Sequence, residues 1–383
     1  VRYFLELCVL SVQKAIQNID AEIIVVDNNS SDDSCDMMKQ RFPNIKLMEN
    51  KENLGFPKGN NIGVKEAKGE YICILNPDTV VAEDTFEKVL SFVSSRAGHP
   101  ERSRGTRDDL GIVGCKLIDG TGNFLPESKR GIPTPWVAFT KIFGLYKISN
   151  IFGKYYAQHL TENQTGKVDI LVGAFMVMKR NLYNEMEGFD ENCFMYADDI
   201  DLSYRALLLK KQNYYFHETT VIHYKGESTI KDANYIKQFR EFMNFFYAKH
   251  FKRSLFFNLM ARFGAFYFSI VKLFQAKTTA KKSPSKYILI SENERVREKL
   301  ESKLQNNIER TILENGKIVF SQSISKVKNT EIILDLNNLS FKNAISFLEE
   351  NNNNSFTFKL LPTQSNFIIG SDSSNDRGEI FLI

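Results

Sequence analysis

Two short apolar runs, each ending in a cluster of Asn and Asp, constrain this chain more than any other feature. Ile23-Ile24-Val25-Val26 leads into Asp27-Asn28-Asn29-Ser30, and Tyr71-Ile72-Cys73-Ile74-Leu75 leads into Asn76-Pro77-Asp78. Short β-branched runs bounded by turn residues read as buried strands with their polar residues at the carboxyl end. Helices are expected around them. Phe4, Leu7, Cys8, Ser11, Val12 and Ala15 recur at helical spacing over 3–17, and Ser34–Arg41, Asn60–Ala67 and Thr85–Ser94 suit helices, with a further strand at Ile45–Glu49. Alternating strands and helices predict an α/β fold with a mainly parallel sheet flanked by helices. Ligands of such sheets bind outside the carboxyl ends of the strands, where both polar clusters lie.

The pattern breaks at residues 95–109, which are polar, basic and turn-rich and read as an exposed insertion; it resumes at Ile112-Val113-Gly114-Cys115. Residues 124–165 are aromatic and irregular and hold the single tryptophan, Trp136. A strand is expected over Val168–Met178, around Gly173-Ala174, and helices over 197–210 and 235–250, the second amphipathic. The apolar stretch 255–275 is interrupted by Arg262 and Lys272. A bilayer span wants about 20 nearly uncharged residues, so this stretch reads as an interfacial or core helix. A basic linker follows at Lys277–Ser285. Strand-like runs then recur at Tyr287–Ile290, Ile332–Leu336, Phe356–Leu361 and Glu379–Ile383, with helices at Glu292–Leu304 and Phe341–Glu350. The expected organisation is a catalytic domain over 1–232, amphipathic and membrane-associated helices over 233–276, a linker over 277–286, and a smaller C-terminal α/β domain over 287–383.

Composition narrows the function. The chain is 43% hydrophobic and 25% charged, which is globular, and a net charge of +4 gives no reason to expect nucleic acid. Cys8, Cys35, Cys73, Cys115 and Cys193 form no CxxC pair and are odd in number, which reads as a reduced, cytoplasmic protein. Arg2 and Glu6 interrupt the apolar start, so no signal peptide is read there.

Four constellations carry candidate chemistry. Asp78, just past a buried strand and stiffened by Pro77, is placed to hold a divalent cation shared with a substrate phosphate, although Asn-Pro-Asp is also ordinary turn chemistry. Tyr196-Ala197-Asp198-Asp199-Ile200-Asp201 opens a helix with three acids; these either complement the helix dipole or supply a general base. Neighbouring like charges raise one pKa of such a pair. His223, ending the run Val221-Ile222-His223, could complete a metal site with a carboxylate, though a lone histidine is more often structural. Asn53-Leu54-Gly55-Phe56-Pro57-Lys58-Gly59-Asn60-Asn61 offers glycines for close backbone approach and a helix start for a phosphate, but lacks the Gly-Lys-Ser/Thr ending of a P-loop.

In order along the chain, Val25–Asp32, Asn53–Phe56, Leu75–Asp78, Gly173–Met176, Gly188–Glu191, Phe194–Leu202 and His223–Gly226 resemble the inverting glycosyltransferases of the GT-A fold, in particular the rhamnosyltransferase-like enzymes of bacterial surface-polysaccharide assembly. The resemblance covers roughly residues 1–250. It implies a nucleoside-diphosphate sugar donor, a glycan or lipid-linked glycan acceptor, Mg²⁺ or Mn²⁺, and a peripheral place at the cytoplasmic face of an anionic membrane. It further implies that Asp27, Asn28, Asn53, Gly55, Asn60 and Asn76 lie near the nucleotide, that Asp78 and His223 hold the metal, and that Asp199 is the base. Gly173, Ala174 and Asp198 would lie at the sugar and acceptor pocket. Relatives open with an apolar strand ahead of the first helix, so a further strand is expected before Val1. Two alternatives remain: a sugar-1-phosphate nucleotidyltransferase, which would need an early Gly-rich loop not found here, and a non-catalytic sugar-nucleotide-binding protein.

Overall fold

The computed structural model describes residues 1–97, 109–134, 136–137, 155–192, 198–225, 245–251, 284–311, 313–314, 317–318, 329–352, 356–372 and 378–383. Helix α1 (Arg2–Ala15) buries Phe4, Leu7, Cys8, Ser11, Val12 and Ala15, the face set by their helical spacing. Then come β1 (Ile24–Asp27), α2 (Ser34–Arg41), β2 (Lys46–Glu49), α3 (Gly55–Glu66), β3 (Tyr71–Leu75), β4 (Thr79–Val80) and α4 (Thr85–Ala97). Helix α3 starts five residues before the expected Asn60, because Gly55 at φ +81 turns the chain and Pro57 suits a first helical turn. β5 (Leu110–Ile118), β6 (Gly166–Val168), β7 (Phe175–Lys179), α5 (Arg180–Glu185), α6 (Asp198–Leu208) and β8 (Gln212–His223) complete the first part.

The α/β class is as expected, but the strand directions differ. β1 and β2 form a parallel pair, with Val25 opposite Leu47. The central sheet has the order β3-β7-β5-β8-β4, with β6 also on β8, and only β5–β8 is parallel in it. It is therefore mixed rather than mainly parallel. An apolar run reads the same in either direction, and the long connection from β5 lets β7 return antiparallel. The single strand expected over Val168–Met178 is instead two, β6 and β7. The segment between them turns inward: Arg130 and Ile170 exchange backbone hydrogen bonds of 2.9 Å, and Gly173 N–H faces a carboxylate.

The C-terminal part contains β9 (Lys286–Ile290), α7 (Glu294–Leu304), β10 (Ile308–Thr311), the small hairpin β11 (Leu313–Glu314) and β12 (Lys317–Ile318), β13 (Thr330–Asp335), α8 (Phe341–Glu350), β14 (Phe356–Leu361), β15 (Phe367–Gly370) and β16 (Glu379–Leu382). Its sheet has the order β10-β9-β13-β14-β15-β16, parallel through β14 and antiparallel beyond. Of the helix expected over 235–250, residues 245–250 are described and helical; the stretch 255–275 and most of the basic linker lie outside the described residues. Among the described residues, no helix is long and apolar enough to cross a membrane.

The two parts share one core. Phe4, Leu7, Val80, Ala82, Ile118, Ile222 and Tyr224 pack in a single buried cluster with Ile290, Leu334, Leu348 and Phe358. Gly122, at φ +84, brings its backbone so close to the Leu348 carbonyl that a Cβ there would sit 2.1 Å from that oxygen. Both Glu83 carboxylate oxygens accept backbone N–H groups at the start of α8, from Phe341 at 2.7 Å and Lys342 at 2.8 Å. Neither sheet can lose the other without exposing this cluster. Urea unfolding followed by far-UV circular dichroism and by Trp136 fluorescence should give one coincident transition; two transitions separated by more than about 1 M would show that the halves are independent.

Candidate active site

The carboxyl end of β3 sets the site. Asn76-Pro77-Asp78 turns the chain from β3 into β4, and β4 pairs antiparallel with the end of β8, Thr79 opposite His223 and Val80 opposite Ile222. That register brings His223 beside two residues about 150 positions earlier: its Nε2 lies 3.4 Å from Asp78 Oδ1 and 3.5 Å from Asn76 Nδ2. The backbone of the turn is fastened on all sides. Asn76 N–H donates to Ala174 O at 3.1 Å, Thr79 Oγ1 to Asn76 O at 2.7 Å, and Tyr224 N–H to Asp78 O at 3.0 Å.

The side chains are not fastened in this way. Asp78 is 3% exposed, and neither of its carboxylate oxygens has a hydrogen-bond partner; Asn76 Oδ1 and His223 Nδ1 are likewise buried without one. A buried anion left so is costly, and native structures rarely tolerate it without a counter-charge. Burial pushes the Asp78 carboxyl up, but His223 and nearby backbone N–H groups together draw it down further, so it rests below the usual carboxylate range. Oxygen donors with an imidazole are a donor set that Mg²⁺ or Mn²⁺ accepts, so the residues present fit a divalent cation.

A second carboxylate lies close by. Asp199 Oδ2 accepts from Arg130 Nη2 at 2.6 Å and from Gly173 N–H at 3.0 Å, and the same Arg130 nitrogen donates to Leu171 O at 2.7 Å. Burial works against the Arg130 cation, but the Asp199 carboxylate, with help from Tyr155, holds its pKa above the ordinary value. The sequence suggests repulsion between Asp198 and Asp199 as the electrostatic feature here; the structure adds a buried counter-ion. Asp198 is also buried, at 7% exposure. Asp201 faces elsewhere, toward Arg205 Nε at 2.7 Å, Lys249 Nζ at 3.0 Å and His250 Nε2 at 2.6 Å, tying α6 to residues 245–250.

Gly173 and Ala174 join the two clusters. Gly173 N–H holds Asp199 while Ala174 O holds Asn76, and a Cβ at Gly173 would lie 3.3 Å from that of Asp199 and 3.8 Å from the Phe56 ring. Phe56 leads to the third group of predicted residues. Asn28 Nδ2 donates to Gly55 O at 3.0 Å, Asn53 Oδ1 accepts from Gly55 N–H at 3.0 Å, and Asp27 Oδ2 accepts from Ser30 N–H at 3.0 Å. Gly59 lies close against this group, and a Cβ there would come 2.8 Å from Asn28 Nδ2. Asn60 is not tied to the others; its amide donates to Phe56 O at 2.9 Å within its own helix. Asn61, which with Asn60 is expected to open a helix for a phosphate, instead binds Phe189 N–H at 2.9 Å, Phe189 O at 2.9 Å and the Tyr183 hydroxyl at 2.6 Å, anchoring α3 to the Gly188–Glu191 turn. Arg130 was not singled out by the sequence. Its one trace is the adjacent pair Lys129-Arg130 in an irregular stretch, and both prove buried, Lys129 capping the carbonyls of Tyr156, Ala157 and Leu160.

Part of this chain, including Asp78 but neither Asp199 nor His223, is similar to a known family. Residues 3–99 match the family described as "Glycosyl transferase family 2". The N-acetylglucosaminyl-diphospho-decaprenol L-rhamnosyltransferase of Mycobacterium tuberculosis is 24% identical over 221 residues, 55% of this chain and 68% of that protein. Rhamnosyltransferase WbbL of Escherichia coli is 26% identical over 230 residues, 56% of this chain and 78% of its own length. Minor teichoic acid biosynthesis protein GgaB of Bacillus subtilis is 40% identical over 74 residues, covering 18% of this chain and 8% of GgaB. Among solved structures, the mannosyltransferase PcManGT from Pyrobaculum calidifontis in complex with GDP-Man and Mn²⁺ aligns over 72% of this chain and 73% of its own at 16% identity and a TM-score of 0.44. S. aureus TarS 1-349 aligns over 72% of each chain at 15% identity and a TM-score of 0.43. At such scores these likenesses decide nothing about the site.

The Arg130–Asp199 pair yields a direct test. Breaking a buried pair from one side costs about 3–5 kcal/mol, and the slight exposure of Asp199 places this one near 3 kcal/mol. Arg130→Met should lower urea-unfolding stability by about 3 kcal/mol, and adding Asp199→Asn should recover at least half. Additive losses in the double variant would mean the two side chains do not couple.

Proposed function

We propose, from the premise that this chain carries a glycosyltransferase family 2 segment, that it transfers a sugar, with inversion at the anomeric carbon, from a nucleoside-diphosphate sugar to a hydroxyl of a glycan or lipid-linked glycan in cell-surface polysaccharide synthesis. The observation that carries this reading is the pairing of two unlike acids across one dipeptide. Asp78 is buried with its oxygens unpartnered, and Asp199 stands on the other side of Gly173-Ala174, held through Oδ2 alone. Among the described residues, no hydrogen bond is directed to Asp199 Oδ1.

In this reading Asp78 and His223 would hold Mg²⁺ or Mn²⁺, with Asn76 beside them. The cation, when bound, supplies positive charge for the diphosphate of the donor. The chain's own residues do the rest. Arg130 and Gly173 N–H fix the Asp199 carboxylate, leaving Oδ1 to take the proton of the acceptor hydroxyl as it attacks. The acceptor oxygen bonds to the anomeric carbon as the bond to the diphosphate breaks on the opposite face, releasing nucleoside diphosphate, so one in-line displacement gives inversion with no covalent enzyme intermediate. Asp27, Asn28, Asn53 and Gly55 form the polar loop cluster in which base and ribose would sit, and Asp198, Gly173 and Ala174 border the sugar and acceptor. The names of the relatives above favour rhamnose as the sugar and a diphospholipid-linked acceptor. A lipid-linked acceptor would place the enzyme peripherally at the inner face of the plasma membrane.

Two variants separate the roles. Asp78→Ala should abolish Mn²⁺-dependent binding of nucleoside diphosphate in calorimetry, with His223→Ala weakening it less, because a carboxylate brings charge that a neutral imidazole does not. Asp199→Asn should lower turnover about 10²–10⁴-fold against a panel of nucleoside-diphosphate sugars while donor affinity stays near normal. Full turnover in Asp199→Asn together with loss in Asp198→Asn would move the base by one residue.

A further inference from the structure

We infer that the C-terminal α/β unit is the back wall of the metal-bearing strand pair: it holds Asp78 and His223 in place from behind and so sets the affinity for the divalent cation. This rests on the proposed metal site. The observation behind it is an alternation along β4 and β8 and the residues that directly continue them, Val81, Ala82 and Tyr224. Val80, Ala82, Ile222 and Tyr224 belong to the cluster shared with the C-terminal unit, whereas Val81 and Val221 belong to a different cluster within the catalytic part. Successive residues of a strand face opposite sides. His223, between Ile222 and Tyr224, therefore points to the site while both its neighbours point into the C-terminal core.

Tyr224 makes the connection direct. It is 1% exposed, its ring lies 5.2 Å from that of Phe4, and its N–H donates to Asp78 O at 3.0 Å. Gly120, where a Cβ would come 2.8 Å from this ring and 2.4 Å from Ser371 Oγ, allows β15's end to close against it. One residue thus follows the histidine, bonds the backbone of the aspartate, and is covered by the C-terminal unit. Two fasteners fix that cover close to the site. Glu83, five residues after Asp78, caps α8 through both carboxylate oxygens. Gly122 seats its backbone on the Leu348 carbonyl. Residues that orient metal ligands from behind affect metal affinity typically by about 10–100-fold. A unit docked on the back of both candidate ligands is in that position.

The test is Mn²⁺ affinity of the full chain, read from the loss of the free-ion electron paramagnetic resonance signal, alongside hydrogen exchange of the α8 amides. Two variants loosen the dock: Glu83→Ala removes the α8 cap, and Gly122→Val drives a side chain into the Leu348 carbonyl. Arg205→Met, which disturbs the α6–Asp201 pair away from this face, is the control for general destabilisation. The inference predicts that α8 protection falls in at least one docking variant and that Mn²⁺ affinity falls with it by about 10-fold, while Arg205→Met keeps affinity within twofold. It is overturned if α8 is released and Mn²⁺ affinity is unchanged, if neither variant loosens α8, or if Arg205→Met loses affinity equally. Absence of Mn²⁺ binding by the unaltered chain would instead remove the metal site itself, and this inference with it.

Discussion

A buried carboxylate that faces one imidazole and accepts no close hydrogen bond is the constraint around which the rest of this structure is arranged. Around Asp78 the backbone of the turn is bound by Ala174, Thr79 and Tyr224, while neither oxygen of its acid has a close hydrogen-bonding partner. The antiparallel register of β4 on β8 then decides which residue can face it. Thr79 opposite His223 is the pairing that does so, and a slip of one residue would bring Ile222 or Tyr224 to the site face and send the imidazole into the core. Both hydrophobic clusters that flank these strands defend that register, since a slip would invert their burial.

The acids of the chain show how environment separates groups of identical chemistry. Asp78 has histidine and no hydrogen bonds, Asp199 has a buried guanidinium and one backbone N–H, and Asp201 has Arg205, Lys249 and His250. Asp199 and Asp201 are only two residues apart. On a helix two residues are about 200° of rotation, enough to reach partners on nearly opposite sides. Asp201 is drawn well into its charge network: burial pushes its carboxyl up, Arg205, His250 and Lys249 pull it down further, and it rests below the ordinary range. Such a group contributes stability present above the ordinary carboxyl range and lost as pH falls through its lower folded value, so acid should loosen α6 from residues 245–250.

Much of this was legible because the signals are local. The strands at Tyr71–Leu75 and Phe356–Leu361 and the helices at Ser34–Arg41 and Phe341–Glu350 begin and end where their apolar periods and turn residues do. The polar loops at strand ends and the acids opening α6 were equally visible, since each lies within a few residues of its own signal. Three things were not. Strand direction leaves no trace in an apolar run, so β7 returns antiparallel without warning. Arg130 meets Asp199 across 69 positions through the Arg130–Ile170 bridge, and nothing near either residue announces it. The docking of the C-terminal sheet is written partly in glycines such as Gly120 and Gly122, whose need appears only when the Ser371 hydroxyl and the Leu348 carbonyl arrive against them.

In the proposed mechanism Asp78 and His223 hold one cation against a nucleoside diphosphate. Pulsed electron paramagnetic resonance of Mn²⁺ bound to the full chain with nucleoside diphosphate tests it most directly, because it reports the nuclei around the ion. With Asp78 and His223 as ligands, ³¹P coupling from the diphosphate is expected together with ¹⁴N coupling that disappears in His223→Gln. Coupling to ³¹P alone, unchanged by His223→Gln and by Asp78→Asn, would contradict it.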